Sequence, residues 1–485
     1  MSSSFASSGT APLILTAENF SVATGEPVQT VYADGSRQYS AWSFSGEKTG
    51  ESVAGVVTGL PADCRGVKVE IVVNAAPGEN GTEAEDVYRV CLSQGTGEIS
   101  GVPVRNAVAA GLRTIGLEAY CAADPRLPLT VRIERLSGDP ADTFPLPTEL
   151  IMARVQPVEV PARDFVVQDV PGYNSWPMIQ AIGNTLVCAY TRGSAHDIGE
   201  PCRGVYARTS ADGGATWSPE VTVSNDPKCG EVTIGKGLDE NGAMLLWVRS
   251  WGAKTFHTLY RTADGVNFER VAVPALNPVP MQITDIFHVP TVGLMALWFA
   301  GNYHDDALNA WGTLISRDNG ATWEQRVMES GMPKAEWATE PSAIYLGDGR
   351  IFVIARTECV GPTTRAAQFQ LESTDYGKTW TRSRTNIGDV SISTPSLIYD
   401  KATGLVSNYY FQRGRGVLKR RVVRIDDISG HPLRWPDPEI VALGSTAYLD
   451  AGNVNAVSLN GTHFLAYYSG VHPDTAIIVS AADAP

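Results

Sequence analysis

In stretches of the first 160 residues apolar and polar side chains alternate one by one. Val67-Lys-Val-Glu-Ile-Val-Val73, Asp86-Val-Tyr-Arg-Val-Cys91 and Leu129-Thr-Val-Arg-Ile-Glu-Arg135 each put apolar side chains on one face, the pattern of half-buried strands. After about residue 160 the pattern changes to hairpins. One strand enters, the chain turns at Gly or Asn, and a strongly apolar strand leaves. Residues 341–356 and 454–468 are the clearest cases, and the unit recurs at 177–192, 234–249, 283–300 and 395–411. Helix is expected only in short pieces.

A second repeat lies between the hairpins: Ser210-Ala-Asp212-Gly-Gly214-Ala-Thr216-Trp217, Ser316-Arg-Asp318-Asn-Gly320-Ala-Thr322-Trp323 and Ser373-Thr-Asp375-Tyr-Gly377-Lys-Thr379-Trp380, with a shorter copy at Thr262-Ala-Asp264-Gly265-Val-Asn-Phe268. Successive first residues stand 52, 54 and 57 apart. Each copy reads as a tight turn. The Asp accepts backbone N–H groups, Gly takes a positive φ, and the Trp packs back between sheets. Six units of this period fill residues 161–485, which predicts an all-β, six-bladed β-propeller. Residues 1–140 lack the repeat and read as a separate β-sandwich of jelly-roll type, with the proline-rich stretch 141–160 as a linker.

Composition narrows the function. The 47 Gly and 30 Pro suit many short strands. With 38 basic against 52 acidic residues the net charge is −14, the wrong sign for a nonspecific nucleic-acid or anionic-membrane binder. No window approaches the ~18–20 apolar residues of a membrane helix, so membrane insertion is not expected. The seven cysteines are odd in number and without CxxC spacing, which points to free, mostly buried thiols in a reducing compartment and away from zinc. The first residues carry no basic segment and apolar run, so synthesis in the cytoplasm without a cleaved signal is expected.

The Ser-x-Asp-x-Gly-x-Thr-Trp turns resemble the Asp-boxes (BNR repeats) of sialidases, or neuraminidases, and the chain resembles that superfamily over its last two thirds. The boxes mark outer turns and carry no catalysis. What the resemblance implies lies on the inner strands: an arginine cluster for the sugar carboxylate, an Asp general acid, and a Tyr nucleophile activated by Glu. The residue types suit the chemistry. Guanidinium forks match a carboxylate, a neutral Tyr escapes the repulsion an anionic nucleophile would meet, and an acid must protonate the leaving oxygen.

Carried over by motif, Arg192 and Asp197 in Arg192-Gly-Ser-Ala-His-Asp197 match a binding arginine and the acid. Glu340 in Thr339-Glu340-Pro341 matches the activating base, and Arg356 a carboxylate clamp. In Gln412-Arg413-Gly-Arg415 the spacing favours Arg415 over Arg413 as a further clamp. Tyr448 in Ala447-Tyr448-Leu-Asp450 matches the nucleophile. One departure stands out: the family's Arg-Ile-Pro reads Asn174-Ser175-Trp176-Pro177 here, without the arginine, and Arg249 is the candidate to enter the funnel instead. An inward Asp450 would favour a different sugar or a paired-carboxylate hydrolase. Trp176, Trp247, Trp251, Trp298, Tyr303, Trp337, Tyr409 and Tyr410 are candidates for a sugar-stacking rim, with inter-sheet packing as the competing role.

The resemblance thus implies an exo-glycosidase that removes terminal acidic sugars, sialic or related nonulosonic acid, from surface glycans without metal or organic cofactor. The sandwich would bind glycans or oligomerise. A virion-associated bacteriophage tail component, trimeric as such proteins are, is the expected setting. The alternatives are a non-catalytic glycan-binding propeller and a hydrolase or lyase for another acidic sugar.

Overall fold

The structure is a computed structural model that describes residues 12–34, 37–43, 50–75, 86–94, 97–105, 113–135, 148–197, 199–358, 367–390 and 392–485. The chain forms two compact units: residues up to 160 together with 414–416 and 443–447, and the remainder.

The first unit holds two antiparallel sheets. One runs in the order Val28–Asp34, Arg37–Ser43, Thr148–Val158, Gly66–Ala75, Arg113–Ala122, with Leu13–Thr16 also on Thr148–Val158. The other runs Phe20–Thr24, Ser52–Val57, Leu129–Arg135, Asp86–Gln94, Gly97–Arg105. Val53, Val67, Val69, Leu92, Val131, Ala153 and Val155, from strands of both sheets, are fully buried in one cluster, so the period-2 pattern is spent on a shared core. The linker expectation is corrected here, because residues 148–158 form an 11-residue strand at the centre of a sheet. Its proline does not break it. Pro157 pairs with Val67 on one side, while on the other the short strand Leu13–Thr16 ends opposite Val155.

The second unit contains 24 strands in six four-stranded blades. The innermost strands are Tyr173–Ile182, Gly230–Leu238, Gln282–Val289, Ala338–Gly347, Ser396–Asp400 and Ala451–Leu459, for blades 1 to 6 in order. Blade 6 takes its outermost strand, Arg163–Gln168, from the start of the unit, where it pairs with Asp474–Asp483 and closes the ring. The expected hairpins are the two inner strands of each blade. The repeated turns share one hydrogen-bond pattern: Asp212 Oδ1 accepts from Thr216 N at 2.9 Å, and Ser210 Oγ accepts from Gly214 N at 2.8 Å. Asp318 and Asp375 repeat the carboxylate contact at 2.8 and 2.9 Å. Trp323 and Trp380 then pack edge-on against Trp247 and Trp311 of the preceding blades, at 5.4 and 5.6 Å between centroids.

Blades 2 and 3 are joined into one eight-stranded sheet through a parallel bridge, Gly237 to Ile286. Two glycines make this approach feasible. A Cβ on Gly235 or Gly237 would overlap the carbonyl oxygens of Ile283 and Thr284, or of Ile286. Those oxygens belong to backbone and have nowhere to move. Gly237→Ala is therefore expected to destabilise the propeller by at least the ~1–3 kcal/mol of ordinary overpacking, read as a lower midpoint in chemical denaturation. Gly242→Ala, beside open space at a turn with φ 80°, is the control for a purely conformational cost.

The described cysteines Cys64, Cys91, Cys121, Cys188, Cys202 and Cys229 are free thiols, and all but Cys202 are buried. Cys359 lies outside the described residues.

Candidate active site

Five innermost strands break register near their entry: between Ser175 and Met178, Thr233 and Gly235, Ile283 and Ile286, Thr339 and Ser342, and Gly452 and Asn455. A bulge inserts an extra residue and re-aims its side chain. Trp176, Glu340 and Asn453 occupy bulges of blades 1, 4 and 6 with φ of 48°, 43° and 50°. A non-glycine residue held there costs about 1–3 kcal/mol, and such strain gathers where a side chain must point somewhere particular. Residues on or just before the inner strands of all six blades line one cavity; Trp176, Thr233, Gln282, Ser342, Thr394 and Asn453 represent one blade each. Of its lining residues, Ser342 Oγ donates to Asp285 Oδ2 at 3.0 Å; nearby on blade 2, Lys236 Nζ donates to the Ala456 carbonyl at 3.2 Å.

Glu340, hydrogen-bonded to Gln282 and Thr394 of the cavity lining, meets Arg356. The pair is buried, with Arg356 Nη1 2.8 Å from Glu340 Oε1 and Arg356 Nη2 3.0 Å from Glu358 Oε2. Their meeting is a matter of register: Thr339 pairs with Arg356 across the bulge that turns Glu340 inward. Gln282 Nε2 donates to Glu340 Oε1 at 3.2 Å, and the Thr394 hydroxyl donates to Oε2. Burial opposes the Glu340 charge, but Arg356, the Thr394 hydrogen bond and Arg413 outweigh it and hold the carboxyl below its usual range. Arg356 likewise stays a cation, since Glu340 and Glu358 overcome its own desolvation.

Arg413 completes the cluster. Its Nη2 donates to Asn453 Oδ1 at 2.8 Å and to Tyr468 Oη at 3.1 Å. Gly452 leaves it room, because a Cβ there would lie 2.9 Å from Arg413 Nε. Arg415, preferred from spacing, sits half-buried on the turn 414–416, which belongs to the first compact unit. Gly414, between the two arginines, and Gly416, after the second, turn the chain at φ 73° and 66°.

The tyrosine at the cluster is also a neighbour of the expected one. Tyr448 is 40% exposed on the loop before blade 6. Tyr468, fully buried, donates to the Leu449 carbonyl at 2.9 Å while Arg413 donates to it. Burial raises its phenol and Arg413 opposes that rise. The internal repeat carries a signal for it, since Tyr468 pairs with Gly452 at the blade 6 bulge as Arg356 pairs with Thr339 at the blade 4 bulge.

Arg249 is buried on the blade 2 side. Nη1 donates to the Met281 carbonyl at 2.9 Å, and the guanidinium lies 4.4 Å from the Trp251 ring centroid. Desolvation pulls it down to about 10, with Tyr303 acting in the opposite sense. Tyr303 in turn feels Glu358, Arg356 and Glu340 as well as Arg249. Arg192 points elsewhere. It shares a strand face with Tyr190, and both reach Glu220, at 2.8 and 2.7 Å, on the flank of blade 1.

Asp197 is exposed on the loop after Thr185–Gly193, where its Oδ1 accepts from Gly199 N at 2.8 Å. The loop is held from below by Arg203, a residue without any mark in the sequence. Arg203 is fully buried, donates to the carbonyls of Ala195 and Asp197, pairs with Glu200 at 3.2 Å and stacks 5.0 Å over Trp176. Its Nη1 lies 3.5 Å from Ser175 Oγ, so a guanidinium does reach the corner where the arginine of the Arg-Ile-Pro motif is missing. Asp450 points inward and accepts from Tyr173 Oη at 3.0 Å.

Of the rim candidates, Trp247, Trp298, Trp337, Tyr409 and Tyr410 are fully buried and Trp176 is 8% exposed; Trp251 and Tyr303, at 41% and 37%, remain for contact with a ligand. Arg249, Arg356 and Arg413 each keep a buried Nε with no hydrogen-bond partner among the described residues. Each of these buried guanidinium groups thus keeps one donor unsatisfied by the described residues.

No family model matches the sequence, and no curated protein does. Among solved structures the chain is similar to a protein of unknown function from Dyadobacter fermentans, at 17% identity and a TM-score of 0.56, covering 67% of this chain and 99% of that one. It is also similar to the NanB sialidase from Streptococcus pneumoniae, at 10% identity and a TM-score of 0.52, covering 86% of this chain and 95% of that one. The K499G mutant of NanB gives 10% identity and a TM-score of 0.53, over 91% and 98%. At such identities the likeness shows the fold, which is all-β and sialidase-like.

Proposed function

We propose that the propeller is a glycoside hydrolase of sialidase type that removes a terminal acidic sugar from a glycan. The observation that carries this reading is the buried Glu340–Arg356 pair, with Arg413 close enough to act on the same carboxyl and itself donating to Tyr468. Arg413, Arg356 and Arg249 hold the sugar carboxylate. Tyr468 attacks the anomeric carbon and passes its proton to Glu340, while Asp197 protonates the leaving oxygen as the glycosidic bond breaks. Water then reverses the sequence, with Asp197 as base and the phenol recovering its proton from Glu340.

A fluorogenic sialoside tests the reaction. Turnover by the wild type is expected, and Asp197→Ala is expected to lower it by about 10²–10⁴, the usual contribution of a positioned acid. A second reading, a glycan-binding propeller without catalysis, is favoured by one feature: blade 1 offers Ser175 and Trp176 where an arginine would complete the clamp. It predicts affinity for the sialoside without release of the fluorophore. Neither binding nor turnover would overturn both readings.

A further inference from the structure

The blade 1 corner contains a connected chain of groups that the hydrolytic scheme does not use. Tyr173 Oη is fully buried and lies 2.9 Å from His196 Nδ1, 3.0 Å from the Leu449 carbonyl and 3.0 Å from Asp450 Oδ1. Asp450 Oδ2 accepts from the backbone N–H of His472 at 2.9 Å. His196 is half-buried, with its ring 5.0 Å from Trp176 and 6.5 Å from Tyr468. Its Nε2 has no hydrogen-bond partner among the described residues and is not among their sealed polar atoms.

Proton counting fixes the direction of this chain. Tyr173 has one proton to donate, while the Leu449 carbonyl and the Asp450 carboxylate can only accept. Were that proton given to His196, two acceptor oxygens would face the phenol oxygen at 3.0 Å with no proton between. The proton therefore goes toward Asp450 and Leu449, and His196 Nδ1–H donates to the phenol oxygen. Burial, with Arg413 and Arg203 nearby, pushes His196 down to about 4, so the ring is neutral near pH 7. A neutral imidazole with its proton on Nδ1 keeps a lone pair on Nε2.

We infer that His196, held by Tyr173 and Asp450, offers its Nε2 lone pair to the funnel as the acceptor for a hydroxyl of the bound sugar. The inference deepens the glycosidase reading: the corner opened by the missing arginine reads a neutral hydroxyl, and the sugar carboxylate is left to Arg413, Arg356 and Arg249. Asp450 and Tyr173 are positioning residues, and His196 determines specificity.

Ring-¹⁵N spectra of histidine-labelled full-length protein at pH 6.5 test the chain without any sugar, with the His196 signals assigned by their loss in His196→Gln. The expected state is neutral with the proton on Nδ1, and Tyr173→Phe is expected to move that proton to Nε2. A wild-type ring protonated on Nε2, or on both nitrogens, would overturn the inference. The methyl α-glycoside of N-acetylneuraminic acid is then the probe: at saturation it is expected to shift Nε2 upfield, and His196→Phe to weaken it about tenfold, as loss of one hydrogen bond does. A bound probe that leaves Nε2 unmoved overturns the role in recognition. A probe that does not bind the wild type counts against the acidic-sugar reading, while the tautomer spectrum still decides the chain.

Discussion

Glu340→Gln is expected to lower sialoside turnover at least a thousandfold, within the ~10²–10⁴ that a positioned base supplies and near its upper end because Glu340 also orients Arg356. Glutamine keeps the shape and the Thr394 contact, so binding should survive. The stability cost should be about 1.5–3 kcal/mol, the value of a hydrogen bond to a charged group, because Glu358 still partners Arg356. Its pH dependence has a definite sign. The folded-state Glu340 carboxyl is held below its usual range, so its contribution is complete above the unfolded value of about 4.3 and is lost as pH falls through the folded value. The gap in melting temperature between wild type and Glu340→Gln should be constant near neutrality and close on acidification. A gap that widened in acid would contradict the assignment of charge at this residue.

Arg413→Met separates binding from stability in the other direction. Arg413 is buried, its hydrogen-bond partners are the neutral Asn453 and Tyr468, and the Glu340 carboxylate acts on it without an ion pair among the described residues. A buried cation with no directly paired carboxylate is costly, and an apolar side chain of similar length relieves that cost. The variant is therefore expected to melt no lower than the wild type while losing about a hundredfold in affinity for an acidic sugar, which corresponds to ~2.7 kcal/mol. Such a pairing of lost function with kept stability is what a side chain retained for a ligand shows. Loss of both together would assign Arg413 to the fold instead.

Which parts of this site were legible follows from how local each signal is. Glu340 and Arg356 sit on the two strands of one hairpin, and Glu-Pro at the entry with Arg at the exit marks both ends. Arg413 and Arg415 differ by a turn: two left-handed glycines around Arg415 decide which guanidinium stays with blade 5, and Gly-Arg-Gly alone does not say which way it folds. Arg192 was placed inward on motif spacing, but the strand face it shares with Tyr190 sends it to Glu220. Tyr468 stands in a strand buried on both faces, where alternation carries no information, so only comparison of bulge positions between blades finds it. Arg203 acts through backbone carbonyls on a loop, and no residue pattern announces that. In the first unit the pairing of Ala153 and Val155 on both sides outweighs Pro157, which has Val67 on one side and lies past the end of Leu13–Thr16 on the other.

The central claim is that the funnel binds a sugar through its carboxylate. Isothermal titration calorimetry with the methyl α-glycoside of N-acetylneuraminic acid, set beside the same glycoside carrying its carboxyl as a methyl ester, tests it most directly. The two ligands differ in the charge offered to Arg413, Arg356 and Arg249 and in little else. Binding of the acid, with the ester weaker by about ten- to a hundredfold, is the expected result, in line with ~1.5–3 kcal/mol for charge-assisted hydrogen bonds. Equal affinity for acid and ester, or no affinity for either, would contradict it.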